Sequence, residues 1–138
     1  MKIIKTYVMP RPFHGYNIPI AMQSSYLREY ATKNNFQFSL PMVEISRPES
    51  FSILNGFLNS KDKDLTDLGM VSLFMLPIFD INKIKKIFLK KKLSNLNLHF
   101  ALESRIVSVN DLINWIADDV PLMKLSSDFN EFRLNAHI

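Results

Sequence analysis

The sequence contains no cysteine, which excludes disulfides, thiolate metal sites and a cysteine nucleophile together and agrees with a reducing compartment. It also lacks any apolar run near the ~20 residues that a membrane span requires. Its first residues, Met1-Lys2-Ile3-Ile4-Lys5, do not form the long apolar stretch of a secretion signal. A soluble, cytoplasmic protein without a membrane span is expected. No P-loop, GxGxxG, GxSxG or CxxC pattern occurs, so the commonest nucleotide, redox and hydrolase signatures are missing. The three histidines are scattered, and with no thiolate beside them they give little support to a transition-metal site, so neither metal nor cofactor is expected. No internal repeat or low-complexity segment is visible.

What is present fits one domain. A chain of 138 residues buries roughly two-thirds of its unfolded surface when it folds. The formal charge of +4 and pI near 9.4 favour an anionic partner, although a Lys-, Asn- and Ile-rich composition is also what an AT-rich genome produces. Ile3–Met9 reads as a first strand and Pro19–Lys33 as a helix with proline in its first turn, closed by Asn34-Asn35. Phe36–Val43 reads as a second strand. Ser46-Arg47-Pro48-Glu49 has the form of a capping box, opening a helix whose buried face is Phe51, Ile53, Leu54, Phe57 and Leu58. Gly69–Leu76 is a continuous apolar run, the pattern of a strand buried on both faces. Asp80 caps a third helix; Leu96–Leu102 is a fourth strand; Ser108-Val109-Asn110-Asp111 caps a fourth helix. Alternating strands and helices predict an α/β, three-layer, flavodoxin-like domain over residues 1–120, with a four-stranded parallel sheet in the order 2-1-3-4. The tail, 121–138, is expected to dock on the domain or on a partner.

In such a sheet the carboxyl ends of the strands open on one rim, where ligands bind. Arg11 and His14 follow the first strand, Glu44 ends the second, Ser72 and Phe74 lie in the third, and Glu103 follows the fourth. Arg11 is suited to bidentate binding of phosphate or carboxylate; the alternative is an ion pair with Glu44 or Glu103. Glu44, Glu103 and His14 would move protons, since two carboxylates and an imidazole can differ in pKa as acid–base chemistry needs. For His14 the alternative is simple exposure. Gln23 stands near enough to the helix start to reach a ligand, whereas Arg28 reads as a surface or helix–helix residue. The lysines from Lys83 to Lys92 are either a nucleic-acid stripe or, as preferred, a solvated helix face. Trp115 and the phenylalanines fit core or interface better than a ring-stacking platform, and His99 reads as a satisfied core residue.

The pattern Arg11-Pro12-Phe13-x-Gly15-x-x-Ile18-Pro19, then Ser72-Leu73-Phe74-x-Leu76-Pro77 and His99-Phe100-Ala101-x-Glu103 resembles the small "sporadic carbohydrate cluster" proteins of bacterial surface-polysaccharide synthesis. That resemblance implies a role in making or modifying a sugar, with a sugar phosphate or nucleotide sugar as ligand. Joined to the rim, it gives the expectation of a small isomerase, epimerase or lyase without a redox cofactor; a non-catalytic partner of a sugar-processing enzyme is the alternative. More remotely, the order of strand, Arg-bearing loop, Gln-bearing helix and Glu-ended strand is similar to serine recombinase catalytic domains. The first-loop nucleophilic serine of those domains has no counterpart here, where Pro10 and Arg11 stand, so nucleic acid is not the expected partner. A homo-oligomer is expected from the fold class.

Overall fold

Strand β1 (Lys2–Val8) is the hub of a mixed sheet, pairing in parallel with β2 (Phe36–Phe38), β3 (Met42–Val43) and β4 (Asp67–Met70). The structure, a computed structural model, describes residues 1–60, 64–90, 93–116 and 118; the expected tail, 121–138, lies outside them. Strand β5 (Asn97–Phe100) extends the sheet in parallel beside β4, and β6 (Arg105–Ser108) closes it antiparallel to β5. The order is β2-β1-β4-β5-β6, with β3 off this path against β1.

The expected four-stranded, all-parallel sheet is therefore corrected in three places. The second strand is split at Ser39-Leu40-Pro41, because proline has no N–H to give to the ladder. Its break is held by the Thr6 hydroxyl, which donates to the Ser39 carbonyl at 3.0 Å. The apolar run after Gly69 leaves the sheet at Met70 and continues as a 3₁₀ turn, Leu73–Met75, although Leu73 and Met75 stay buried. The third correction is β6, which was not anticipated. Ser104 adopts φ 51°, a left-handed conformation that reverses the chain within Ala101–Ser104 and returns Arg105 opposite Phe100.

The helices are α1 (Ile20–Lys33), α2 (Ser52–Ser60), α3 (Ile81–Phe88) and α4, residues 109–116. Several ends follow the local chemistry read from the sequence. Asn35 takes the left-handed conformation, φ 61°, just past α1. The Asp80 carboxylate accepts from Lys83 N–H at 3.3 Å, and Ser108 Oγ accepts from Asp111 N–H at 3.2 Å. The start of α2 departs from the expected capping box: Glu49 has φ 60°, so 46–49 is an irregular loop and the helix starts later, at Ser52.

Helix α1 covers one face, where Gly69 leaves room for it: a Cβ there would lie 3.0 Å from Ile4 Cδ1 and 3.9 Å from Leu27 Cδ2. By strand alternation Leu68, Met70 and Tyr7 point to the other face. There Tyr7 meets Glu44, which accepts from Leu54 N–H near the start of α2, α3 packs beside α2, and the α4 residue Trp115 lies against Phe100 with ring centroids 5.7 Å apart. Tyr7, Phe88 and Phe100 are among the largest fully buried side chains. No described helix is long and apolar enough to cross a membrane.

Candidate functional site

The loop leaving β1 turns back on itself through two left-handed residues, His14 at φ 49° and Gly15 at φ 79°. Phe13 and Tyr16 exchange backbone hydrogen bonds of 3.0 and 2.9 Å across that turn, the geometry of a type I′ hairpin tip, where glycine suits the second position. Phe13 is buried and anchors the turn; His14 is held outward. Its imidazole stacks on Phe74, with centroids 4.0 Å apart and planes within 9°. Phe79, half exposed at 49 %, stands 6.2 Å from His14 and 6.5 Å from Phe74.

These rings line a cleft of about 420 Å³ together with Glu49, Asp80 and Lys83. A second cleft, of about 210 Å³, shares Glu49, Phe74 and Lys83 with the first and reaches Arg11. The two form one groove beyond the carboxyl ends of β1 and β4, of a size usual for small-molecule sites. Arg11 Nη1 donates to the carbonyls of Ser50 at 2.7 Å and Arg47 at 3.2 Å, and the guanidinium lies 4.9 Å above the Phe51 ring. The alternative reading of Arg11, an ion pair with Glu44 or Glu103, does not hold: its guanidinium is on backbone carbonyls. Lys83 Nζ lies 3.4 Å from an exposed Glu49 carboxylate, a contact that contributes little in water and that a bound anion can replace.

The remaining expected site residues do not line the groove. Gln23 is fully buried; its Oε1 accepts from Met9 N–H at 3.2 Å, and its Nε2 donates to the Met9 and Ile18 carbonyls, both at 2.8 Å. It ties α1 to the end of β1 and has no polar atom left for a ligand. Glu44 is 3 % exposed and caps α2 from outside the helix. Its oxygens accept from the N–H groups of Ile53 at 3.2 Å and Leu54 at 3.3 Å, from Ile45 N–H at 2.8 Å and from the Tyr7 hydroxyl at 2.8 Å. Burial works to raise the Glu44 pKa, but the Ile45, Tyr7, Ile53 and Leu54 donors together hold it below the ordinary carboxylate value. Burial, with the Glu44 bond and charge, pushes the Tyr7 phenol far up.

Glu103 and Ser72 are joined to each other. The Ser72 hydroxyl donates to Glu103 at 3.1 Å and accepts from Phe74 N–H at 3.1 Å, while Leu73 N–H donates to the other Glu103 oxygen. Burial raises the Glu103 pKa, with the Leu73 and Ser72 donors opposing it. The pair thus fixes the 3₁₀ turn that carries Phe74 into the groove. The three segments that carry the carbohydrate-cluster resemblance meet here: His14 on Phe74, and Glu103 on Ser72 and Leu73.

Sequence reasoning missed Phe79, and it placed Lys83 on a solvated face and Glu49 in a cap. An aromatic residue between Pro77 and Asp80, in a connection rather than an element, was the available signal. Asp67 was passed over as well, and Tyr30 reads from the sequence only as an apolar position of the first helix. His99 is buried as expected, but it forms a chain: Nε2 to Asp67 Oδ1 at 2.8 Å and Nδ1 to the Tyr30 hydroxyl at 2.7 Å. Thr66 Oγ1 donates to the second Asp67 oxygen at 2.7 Å. Among the described residues no group of three or more His, Cys, Asp or Glu is placed to hold a metal ion.

Taken together, the mixed sheet, its order and its four helices define an α/β fold that resembles a serine recombinase catalytic domain. The chain is similar to the N-terminal catalytic domain of TP901-1 integrase, with a TM-score of 0.55 and 17 % identity over 99 % of this chain and 100 % of that one. No protein-family model matches the sequence, and no curated protein matches it significantly.

Proposed function

We propose that the protein binds an anionic carbohydrate, a sugar phosphate or nucleotide sugar, in the groove at the carboxyl ends of β1 and β4, as part of surface-polysaccharide synthesis. The observation that carries this reading is the lining of the groove: the cations Arg11 and Lys83 at adjoining clefts, with the His14–Phe74 stack in the same lining. Cations select a phosphate, and stacked rings accept the flat or apolar face of a sugar or base. The carbohydrate assignment itself is supported by the motif resemblance, whose segments converge on this rim. Catalysis by Glu44 and Glu103 is not part of the proposal, because both carboxylates are occupied by hydrogen bonds that hold the backbone.

Thermal unfolding with a panel of sugar phosphates and nucleotide sugars tests it. A ligand at about 100 times its dissociation constant adds roughly 2.7 kcal/mol, a rise of several degrees for a domain of this size. The rise is expected to disappear in Lys83→Ala, and absence of a rise with every anionic sugar would remove the reading.

A second reading keeps acid–base turnover of the isomerase, epimerase or lyase type, now with His14 as the proton carrier and Glu49 as the carboxylate. It is favoured by their placement on the same cleft. Deuterium uptake from D₂O into a bound sugar, lost in His14→Gln, is its expected signature. DNA-strand cleavage is not proposed: residues 9–19 contain neither serine nor threonine, so the first-loop nucleophile that the recombinase resemblance implies has no side chain to supply it.

A further inference from the structure

The ring cluster at the groove narrows the ligand class. His14 and Phe79 are both exposed, and an aromatic wall left in water at the end of a parallel sheet is where a ligand ring gains contact area without displacing a packed core. His14 is held there against the general preference of non-glycine residues for negative φ, by a turn whose anchor, Phe13, is buried. Phe74 beneath it is fixed by Ser72 and, through Leu73, by Glu103. The platform is therefore held in place from both sides before any ligand arrives. Lys83 lies on the same cleft as the rings, together with the carboxylates of Glu49 and Asp80, and Arg11 lies on the adjoining one, so a diphosphate that displaces Glu49 from Lys83 can reach both cations.

Resting on the reading above, we propose that the groove takes a nucleotide-activated sugar rather than a simple sugar phosphate. The base stacks on the His14–Phe79 wall and the diphosphate runs along Lys83 towards Arg11. Stacking a base on an aromatic side chain contributes about 1–3 kcal/mol, or roughly five- to 150-fold in affinity, which a free sugar phosphate does not gain.

Calorimetric titration with UDP, UDP-glucose, GDP-mannose, glucose 1-phosphate and pyrophosphate, on the wild type and on Phe79→Ala, tests this. Phe79 is half exposed, so its removal leaves the core intact, and circular dichroism of the variant checks that it does. The expected result is binding of at least one nucleotide or nucleotide sugar that weakens about tenfold or more in Phe79→Ala, with glucose 1-phosphate and pyrophosphate binding more weakly and indifferent to that change. Equal binding of glucose 1-phosphate and the nucleotide sugars, or an unchanged affinity in Phe79→Ala, overturns the stacking inference while leaving anion binding at the groove standing. No binding by any of the five overturns both.

Discussion

At the scale of the residue, Glu44 shows how a carboxylate placed at a strand end by the sequence can be a cap and not an acid. Two of the orphan N–H groups that open α2 point at it, and they favour its charged form. Replacing it by glutamine removes the charge and turns an amide N–H₂ towards donors. Glu44→Gln is therefore expected to lose about 1.5–3 kcal/mol at neutral pH, measured by urea unfolding. The sign of its pH dependence follows from the depressed folded-state pKa. The stabilisation is present above the unfolded value and is lost as pH falls through the folded one, so the gap between wild type and variant narrows in acid. A gap that stays constant to low pH would mean that the charge of Glu44 is not what holds the helix. Glu103, with its pKa raised, has the opposite sense: its contribution is present below the unfolded value and fades as pH rises through the folded one.

Among the elements, the 3₁₀ turn at Leu73–Met75 couples the far side of the sheet to the groove. Its residues are too apolar to look like a loop, yet Ser72 and Glu103 satisfy the backbone N–H groups of Phe74 and Leu73 that a strand would have given to a neighbour. Glu103→Gln keeps one oxygen acceptor but turns an amide N–H₂ towards the donor that the second carboxylate oxygen had satisfied. The variant is expected to fold, with a melting temperature lower by a few degrees, and to bind its ligand more weakly because Phe74 is less firmly placed. Titration of the groove ligand into Glu103→Gln checks this; unchanged affinity would separate the turn from the site. The first loop works in the same way, with Gln23 gripping both the Met9 N–H and carbonyl so that the Arg11–Gly15 segment leaves the sheet at a fixed angle.

For the whole molecule, a recombinase-like fold and a pI near 9.4 raise the question of nucleic acid. Fold does not bring chemistry with it. The purified protein is expected to leave supercoiled plasmid intact at low and moderate salt, assayed by gel over hours with divalent cation present and absent. Nicked or linear product that is lost in a β1-loop variant would place a nucleophile there after all. Electrostatic attraction to DNA is a separate property, to be read from how steeply any binding falls with salt.

The sequence by itself determined what local chemistry decides. Proline at the start of α1, asparagine at its end, Asp80 before α3 and the Ser108–Asp111 pair all act through groups within a few residues, so those boundaries were legible. The nearness of Arg11, His14 and Phe74 was legible as well, because the first loop and the Ser72–Pro77 segment belong to the same rim in any parallel arrangement of these strands; their part in binding is the proposal made above. Only the tertiary structure decided the rest. Whether Glu44, Gln23 and Glu103 face a ligand or a backbone depends on partners up to 37 residues away, as with Tyr7 and Glu44, and no local pattern carries that information. The early exit of β4 and the return of β6 were likewise set by which backbone groups found partners across the sheet, whereas the split of the second strand has its cause in Pro41 and could have been read locally. An apolar run can satisfy its burial equally well as strand or turn, and hydrogen-bond partners distant in sequence made the choice.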